Sequence, residues 1–291
     1  MIDVHSLQDE GFRALPLVVE GESKEVRYAG NGLVVIRFKP TIYSFTANRT
    51  GIVPGSDILR LRASRLFIEV LRKAGISHAY RDISDQWVLA DLILQPATEY
   101  DPQPFRPTDL NPQDIEKLPI APPIEVVLKR MHSGTSKHRY FRMAGHPVRA
   151  SHPFFAGRNF APEGAYPTAI VRFDWRNPFQ DPRSIALADE ILPDSVADWY
   201  IDVPQARSTA LKVYNCLSEY LSERDIVCYD LCLFITEDGK TVFGEISQDC
   251  GRFRHFDLGE LDKDVWRAGG SHELVLQKWQ TLLDLCEGVK R

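Results

Sequence analysis

The chain has 291 residues, with 40 acidic and 35 basic side chains, a net charge of −5 and a pI near 5.9, which excludes a general nucleic-acid binder but leaves room for a local basic pocket. At 44% hydrophobic and 26% charged, it is expected to be globular, with enough chain for one large two-lobed domain or two small ones. No apolar run approaches membrane-spanning length, the acidic start MIDVHSLQDEGF has no apolar signal core, and five cysteines lack zinc or thioredoxin spacing, so a cytoplasmic protein with reduced thiols is expected.

Leu15 to Phe38 predicts two or three short strands, with turns at Gly21 and at Gly30-Asn31-Gly32. A glycine hairpin carrying Lys24 can cover nucleotide phosphates with backbone N–H groups, although a plain turn has the same composition. Ile42 to Pro54 is extended. Ser56-Asp57 caps a predicted helix from Ile58 to Ala74, with Leu61, Leu66, Phe67, Val70 and Leu71 inward and Gly75 as its stop. Its arginines, Arg60, Arg62, Arg65 and Arg72, are expected to form a solvated face. Tyr80 to Leu94 gives two strands. Ala97 to Pro123 holds seven prolines and reads as a long irregular connection, a lid or a surface insertion.

Ile124 to Met131 is a strand that runs into His132-Ser133-Gly134-Thr135. Lys129 near its end and a small-residue turn with hydroxyls can hold a phosphate. Ser136 to Asn159 is basic, His-bearing and mostly loop. Thr168 to Trp175 is a strand, Ser184 to Ile191 a short helix, and Asp198 to Ser222 a longer helix with Ala206, Ala210, Val213, Tyr214, Leu217 and Leu221 inward. Leu261-Asp262-Lys263-Asp264 leads into a short helix. Glu273 to Cys286 closes the chain as an amphipathic helix, its stripe formed by Leu276, Trp279, Leu282, Leu283 and Cys286.

Between them lies Ile226 to Arg252, IVCYDLCLFITEDGKTVFGEISQDCGR, which reads as a hairpin. Ile226 to Ile235 is the outgoing strand, Glu237-Asp238-Gly239-Lys240 the turn, and Thr241 to Ser247 the return. Asp230, Glu245, Ser247, Asp249 and Arg252 are spaced along it, as in a site for a charged ligand; a core hairpin whose acids face water is the alternative.

The order of these segments resembles SAICAR synthetase, the purine-pathway ligase that uses ATP to join aspartate to carboxyaminoimidazole ribonucleotide. The similarity runs from about Val18 to Arg267, with 97–122 as an apparent insertion. It is carried by EGESKEV (EGKAKxV in the family), VPGSD (IPGKG), RKAGI, ISDQWVL (LSDTEML), EVVLKRMHSGTS (EVVVRNxxxGS), FQDP (xHDP), CYDLCLFIT (LVDFKLEFG), FGEISQDCGR (ADEISPDTCR) and LDKD. The resemblance implies an α+β, ATP-grasp-like fold of two lobes with antiparallel sheets and packed helices: a glycine-hairpin lobe at 1–96, the Pro-rich insertion or lid at 97–122, and a lobe carrying the ribonucleotide site at 123–291.

The departures from the pattern matter as much. Of two lysines that the family turns toward the nucleotide phosphates, one is Glu22 here and only Lys24 remains, which inverts the local charge. The Lys and Glu of DFKLE are Cys232 and Phe234, and the Asp of ADE is Gly244. That Glu and that Asp are the metal ligands in the family; Phe and Gly offer magnesium no oxygen. The family His before Asp-Pro is Gln180. The ribonucleotide half is better kept: Lys129 replaces the phosphate-binding Arg, Thr135 the Ser, and Arg252, Asp230, Asp249, Glu245 and Ser247 match in type.

The resemblance therefore points to a phosphoribosyl aminoimidazole nucleotide as the small-molecule partner, held by Lys129, Thr135, Ser247, Asp249, Arg252 and Lys24. No resident metal or cofactor is expected. SAICAR synthetase-like proteins are associated with nucleoside-antibiotic pathways that make a 1,3-diazepine base of the pentostatin or coformycin type, which suggests an ATP-independent intramolecular condensation. Buried carboxylates with raised pKa, best placed at Asp230 and Glu245, would move the proton, with His132 and Cys232 as further candidates. The alternatives are an ATP- and magnesium-dependent ligase whose metal site is rebuilt on Glu245 and Asp249, and a catalytically silent nucleotide-binding protein. Homo-oligomerisation is an expectation from the family, with no exposed apolar seam to support it.

Overall fold

The computed structural model describes residues 2–44, 49–99, 101–133, 143–155, 157–159, 164–176 and 189–288. After a short helix α1 (Asp9–Ala14), β1 (Leu17–Glu20), β2 (Lys24–Gly30) and β3 (Leu33–Phe38) form the expected meander. The hairpin β4 (Thr41–Ser44) and β5 (Arg49–Ile52) precedes α2 (Ser56–Lys73), and β6 (Tyr80–Ile83) and β7 (Trp87–Asp91) follow it. The first sheet has the order β1-β2-β3-β7-β6 and is antiparallel throughout. Gly75 ends α2 at φ 70, as its position predicts.

The second sheet is built from β8 (Ile124–Met131), β9 (Ala165–Trp175), β10 (Glu190–Leu192), β11 (Ile226–Ile235), β12 (Val242–Phe243), β13 (Gly251–His255) and β14 (Gly259–Glu260). Its order is β10-β9-β8-β11-β13-β14, with β12 on the end of β11. Strand alternation gives it two unlike faces. Ile124, Val126 and Leu128 of β8, Leu231, Leu233 and Ile235 of β11, and Val171 and Phe173 of β9 are buried in the core. They pack on a long helix, described below, whose six predicted inward residues are all buried. The opposite face forms the floor of the cleft described below.

Three segments depart from the sequence reading. The return of the hairpin is not one strand from Thr241 to Ser247: β12 is two residues long, 244–250 leaves the sheet, and β13 pairs with the other end of β11. Gly244 turns the chain out at φ 87. The helix expected at 198–222 starts only at Val203: after α3 (Pro112–Ile115) and α4 (Asp194–Ala197), α5 runs unbroken over Val203–Ser222. Asp202 caps the last, accepting from Gln205 N at 2.9 Å, and Pro204 sits in its first turn, where a missing N–H costs nothing. The helix expected at 184–191 falls largely outside the described residues, and Glu190–Leu192 at its end is a strand. The chain closes with α6 (Asp264–Arg267) and α7 (His272–Glu287), where Trp279, Leu282, Leu283 and Cys286 are buried and Leu276 is partly so.

The five-stranded sheet and the β4–β5 hairpin come from 1–96 and the larger sheet from 123–291, and one continuous apolar core joins them through α2, α5 and α7. The Pro-rich segment is anchored rather than loose. Leu94 N donates to Pro119 O, Leu94 O accepts from Ala121 N, and Glu237 N donates to Ile120 O. Asp109 accepts from the Tyr28 hydroxyl at 2.5 Å and from Asn31 N at 2.8 Å, and Phe105 packs on the Tyr28 ring. Asp109 thus holds the β2–β3 turn, whose residues Gly30, Asn31 and Gly32 all have positive φ. Asp109→Ala is expected to speed amide exchange at Asn31 and Gly32 while leaving the global unfolding midpoint nearly unchanged; unaltered exchange there would remove the latch role. Among the described residues no helix is long and apolar enough to cross a membrane, and the five cysteines are free thiols.

Candidate active site

A cleft of about 290 Å³ lies between the glycine hairpin and the polar face of the second sheet. The alternation that buries Ile124, Val126 and Leu128 turns Glu125, Val127 and Lys129 into it. On β11 the same parity delivers Asp230, Cys232 and Phe234, and on β9 it delivers Arg172, Asp174 and then Arg176. Lys24, Tyr43 and Ser44 close it from the first half of the chain, and Glu245, Asp249, Arg252, Lys263 and Arg267 from the second. Seven of the ten residues that the sequence nominates therefore meet in one cleft: Lys24, Lys129, Asp230, Cys232, Glu245, Asp249 and Arg252.

One end is basic. Lys129, Asp230 and Arg252 sit directly opposite one another on three adjacent strands. The Asp230 carboxylate accepts from Lys129 Nζ at 2.6 Å and from Arg252 Nη1 at 2.5 Å. Arg252 Nε is bound to Asp264, which also takes Arg254 and Arg267. Arg254 reaches Asp262 as well, whose carboxyl is pushed up to about 6, mainly by burial. Arg254 Nε also lies 3.9 Å from Glu260, so four cations meet four carboxylates in this network, but of these only Lys129, Arg252, Arg267 and Asp230 line the cleft. The second terminal nitrogens of Arg252 and Arg267 make no hydrogen bond to a described residue, so both can donate into the cleft.

Asp230 is not the raised-pKa acid that the sequence reading expects. Its burial would raise the pKa, but Arg252 and Lys129 win and hold the carboxyl below its ordinary value. Glu245 departs in the same way. It accepts from Arg60 Nε at 2.9 Å and Nη2 at 2.5 Å, from Lys24 Nζ at 2.5 Å and from the Ser247 hydroxyl at 2.6 Å. Burial opposes its ionisation, but the two cations hold it well below the usual carboxylate range. Neither group can take up a proton near neutrality. Arg60 itself is no solvated arginine: its side chain is 0% exposed, while Arg65 and Arg72 of the same helix do face solvent.

Three further expectations change. His132 is 3% exposed, bonded through Nδ1 to the Tyr166 hydroxyl at 2.9 Å, and does not line the cleft. Ser247 is 0% exposed; its hydroxyl braces Glu245 and accepts from Asp249 N, so it does not face a substrate. Cys232 does line the cleft, but burial pushes its thiol well above the ordinary value, so it is a neutral group there. Asp249 pairs with Lys263 at 3.1 Å. Thr135 and Gln180 lie outside the described residues.

The most informative residue that the sequence reading did not nominate is Glu125. Among the described residues it has no side-chain hydrogen bond or ion pair, and its carboxyl is pushed up to about 7 by burial and then by Asp189 and Asp174, against Arg176 and Lys263. The signal was available in sequence: Glu125 is the one acid in the apolar run IEVVLKRM and shares parity with Lys129.

No protein-family model matches the chain. Among curated proteins it is 29% identical to the bifunctional cordycepin biosynthesis cluster protein 3 of Cordyceps militaris over 91% of this chain and 32% of that protein, so the chain spans about a third of this relative. It is 26% identical to the phosphoribosylaminoimidazole-succinocarboxamide synthase of Methanopyrus kandleri over 86% of each chain. A SAICAR synthetase solved in complex with ADP superposes with a TM-score of 0.69 at 20% identity over 95% of this chain and 99% of that one. The Saccharomyces cerevisiae enzyme complexed with SAICAR gives 0.67 at 14% identity over 99% of each. The chain is similar in sequence to SAICAR synthetases and shares their fold.

The end of the cleft where the resemblance places the metal ligands of SAICAR synthetases is altered as a unit. Phe234 packs on Phe243 with ring centroids 5.7 Å apart, and the Arg176 guanidinium lies 4.7 Å from the centre of the Phe234 ring. A Cβ on Gly244 would stand 3.0 Å from Phe234 Cδ2, so the ring takes the room an aspartate there would need. A hard divalent cation meets an aromatic face and a guanidinium here. The nearest acids on the same loop, Glu245 and Asp249, are already committed to Lys24, Arg60 and Lys263. Among the described residues no group of three or more His, Cys, Asp or Glu side chains is arranged to hold a metal ion. These residues do not fit magnesium held in the family manner.

Proposed function

We propose that this SAICAR synthetase-like protein binds an aminoimidazole-carboxamide ribonucleotide, or a close derivative, and carries out an ATP-independent intramolecular condensation. Ring closure of the 1,3-diazepine type, in nucleoside natural-product biosynthesis, is the specific form of the proposal. The phosphate would meet Lys129, Arg252 and Arg267, the three cations that line the cleft around Asp230, where guanidinium donors are unused. The heterocycle would lie toward Phe234 and Glu125. Lys129 and Glu125 are four residues apart on one strand, about 13 Å at ~3.3 Å per residue, which suits a ribonucleotide from phosphate to base. Both reacting ends are then on one molecule, and holding them together replaces activation by a phosphoryl group.

The observation that carries this reading is the joint loss of the metal end: Phe234, Gly244 and Arg176 fill it with an apolar ring and a positive charge. Lys24, the remaining candidate for polyphosphate contact on the glycine hairpin, is neutralised by Glu245. The cordycepin-cluster relative, named for a nucleoside natural product, supports the pathway class. A ligase with a metal site rebuilt on Glu245 and Asp249 is disfavoured because both carboxylates are engaged by cations. A silent nucleotide-binding protein has no observation in its favour.

Calorimetry tests the reading. 5-Aminoimidazole-4-carboxamide ribonucleotide is expected to bind whether or not magnesium is present, and ATP is expected to show no magnesium-dependent binding. Magnesium-dependent ATP binding at millimolar affinity or tighter would restore the ligase reading.

A further inference from the structure

We propose that Glu125 is the general acid–base of this cleft, the group that takes a proton from the substrate and returns it. The inference rests on the ribonucleotide reading above and adds the residue that does the chemistry.

The geometry singles it out. Asp230 and Glu245 are each clasped by two cations, and Asp249 by one; Glu125 has no such partner among the described residues, although it lines the same cleft. Its position on β8 places it at the far end from Lys129 and Arg252, beyond the Val126–Leu233 pair and beside Phe234, where the heterocycle would stand. The groups that face it come from every neighbouring element: Asp174 on β9 directly opposite in register, Arg176 after it, Asp189 before β10, Cys232 on β11 and Lys263 before α6. Two carboxylates and a low-dielectric wall discourage its ionisation, while Arg176 and Lys263 keep it within reach. That balance is what a proton shuttle needs at neutral pH. The pKa of about 7 follows from burial first and the two aspartates second.

The step balances without a redox partner. The Glu125 carboxylate takes the proton from the carbon beside the substrate carbonyl. The electron pair left on that carbon forms the new C–C bond to the carboxamide carbon. The carboxamide π pair moves to its oxygen, which takes the proton back from Glu125. One C–H bond and one π bond are broken, one C–C bond and one O–H bond are formed, and the carboxylate is regenerated.

The test uses the full chain and Glu125→Gln. The amide is neutral, like the protonated acid the site already holds below pH ~7, so the variant is expected to fold. Infrared titration through the neutral range, wild type minus E125Q, is expected to show a carboxyl that titrates well above an ordinary glutamate. Its midpoint should shift when 5-aminoimidazole-4-carboxamide ribonucleotide is bound. Turnover in the variant should fall by ~100-fold or more without a comparable loss of nucleotide affinity, and the neutral limb of the pH–rate profile should vanish. An ordinary titration midpoint, a midpoint unmoved by bound nucleotide, or E125Q turnover equal to wild type overturns the assignment and leaves the ribonucleotide reading standing. Failure of the nucleotide to bind wild type overturns that reading, and the assignment falls with it.

Discussion

Replacing Glu245 by glutamine is expected to lower the unfolding free energy by ~3–5 kcal/mol, the usual cost of stranding a buried charge by removing its partner. Arg60 is fully buried on α2 and spends Nε and Nη2 on this one carboxylate; its remaining nitrogen reaches Lys39 O and Thr41 O. Lys24, on the glycine hairpin, loses the same partner. The pair therefore joins the two halves of the chain across the cleft, and the variant is expected to weaken nucleotide binding as well. Arg60→Met combined with Glu245→Leu should recover much of the stability, since an apolar pair leaves no orphaned charge. The pH dependence has a definite sign. Because the folded pKa of Glu245 is depressed, its contribution is fully present above the unfolded value near 4.5 and is lost as pH falls through the folded value. Urea midpoints of wild type and variant between neutral and acid pH check this; equal midpoints for wild type and Glu245→Gln would show that the clasp contributes nothing.

Asp230→Asn carries the second large effect. Lys129 is only 2% exposed and Arg252 nearly as buried, and both direct a charged nitrogen at the Asp230 carboxylate. Removing the negative charge is expected to cost ~3–5 kcal/mol on the same physical grounds. Here the loss is expected to be partly reversible. A phosphate group docked at this end would supply the missing anion, so 5-aminoimidazole-4-carboxamide ribonucleotide should raise the thermal midpoint of the variant more than that of wild type. Equal ligand-induced shifts would argue that the phosphate does not meet Lys129 and Arg252. The folded carboxyl is again depressed, so its contribution also fades as pH falls below the ordinary aspartate value.

The two carboxylates show why nomination by residue type succeeded for position and failed for protonation. Asp230 and Arg252 reach the cleft from paired strands, whose parity is local and readable, while Glu245 and Asp249 reach it from the 244–250 loop between them. Whether a buried acid is raised or lowered depends on which cations stand within hydrogen-bond reach. Those came from β8, β13, β2 and α2, with Arg60 185 residues from Glu245 in sequence and Lys24 farther still. Arg60 was misjudged for the same reason: a helical arginine looks solvated until the opposite wall is known. Glu125 went unremarked because an acid in a strand is unexceptional until its neighbours in space turn out to be two more acids.

The sequence by itself determined most of the strands and helices, the inward faces of α2, α5 and α7, the family the segments resemble, and the absence of carboxylates at positions 234 and 244. All of these depend on residue type and short-range periodicity. The tertiary structure alone decided that the hairpin opens at Gly244 into a loop, that Phe234 and Arg176 occupy the space the carboxylates gave up, and that Glu125, rather than Asp230 or Glu245, is the cleft acid whose pKa burial raises. Each of those outcomes depends on distance and burial between segments remote in the chain, through packing volume in the first two cases and local electrostatics in the third.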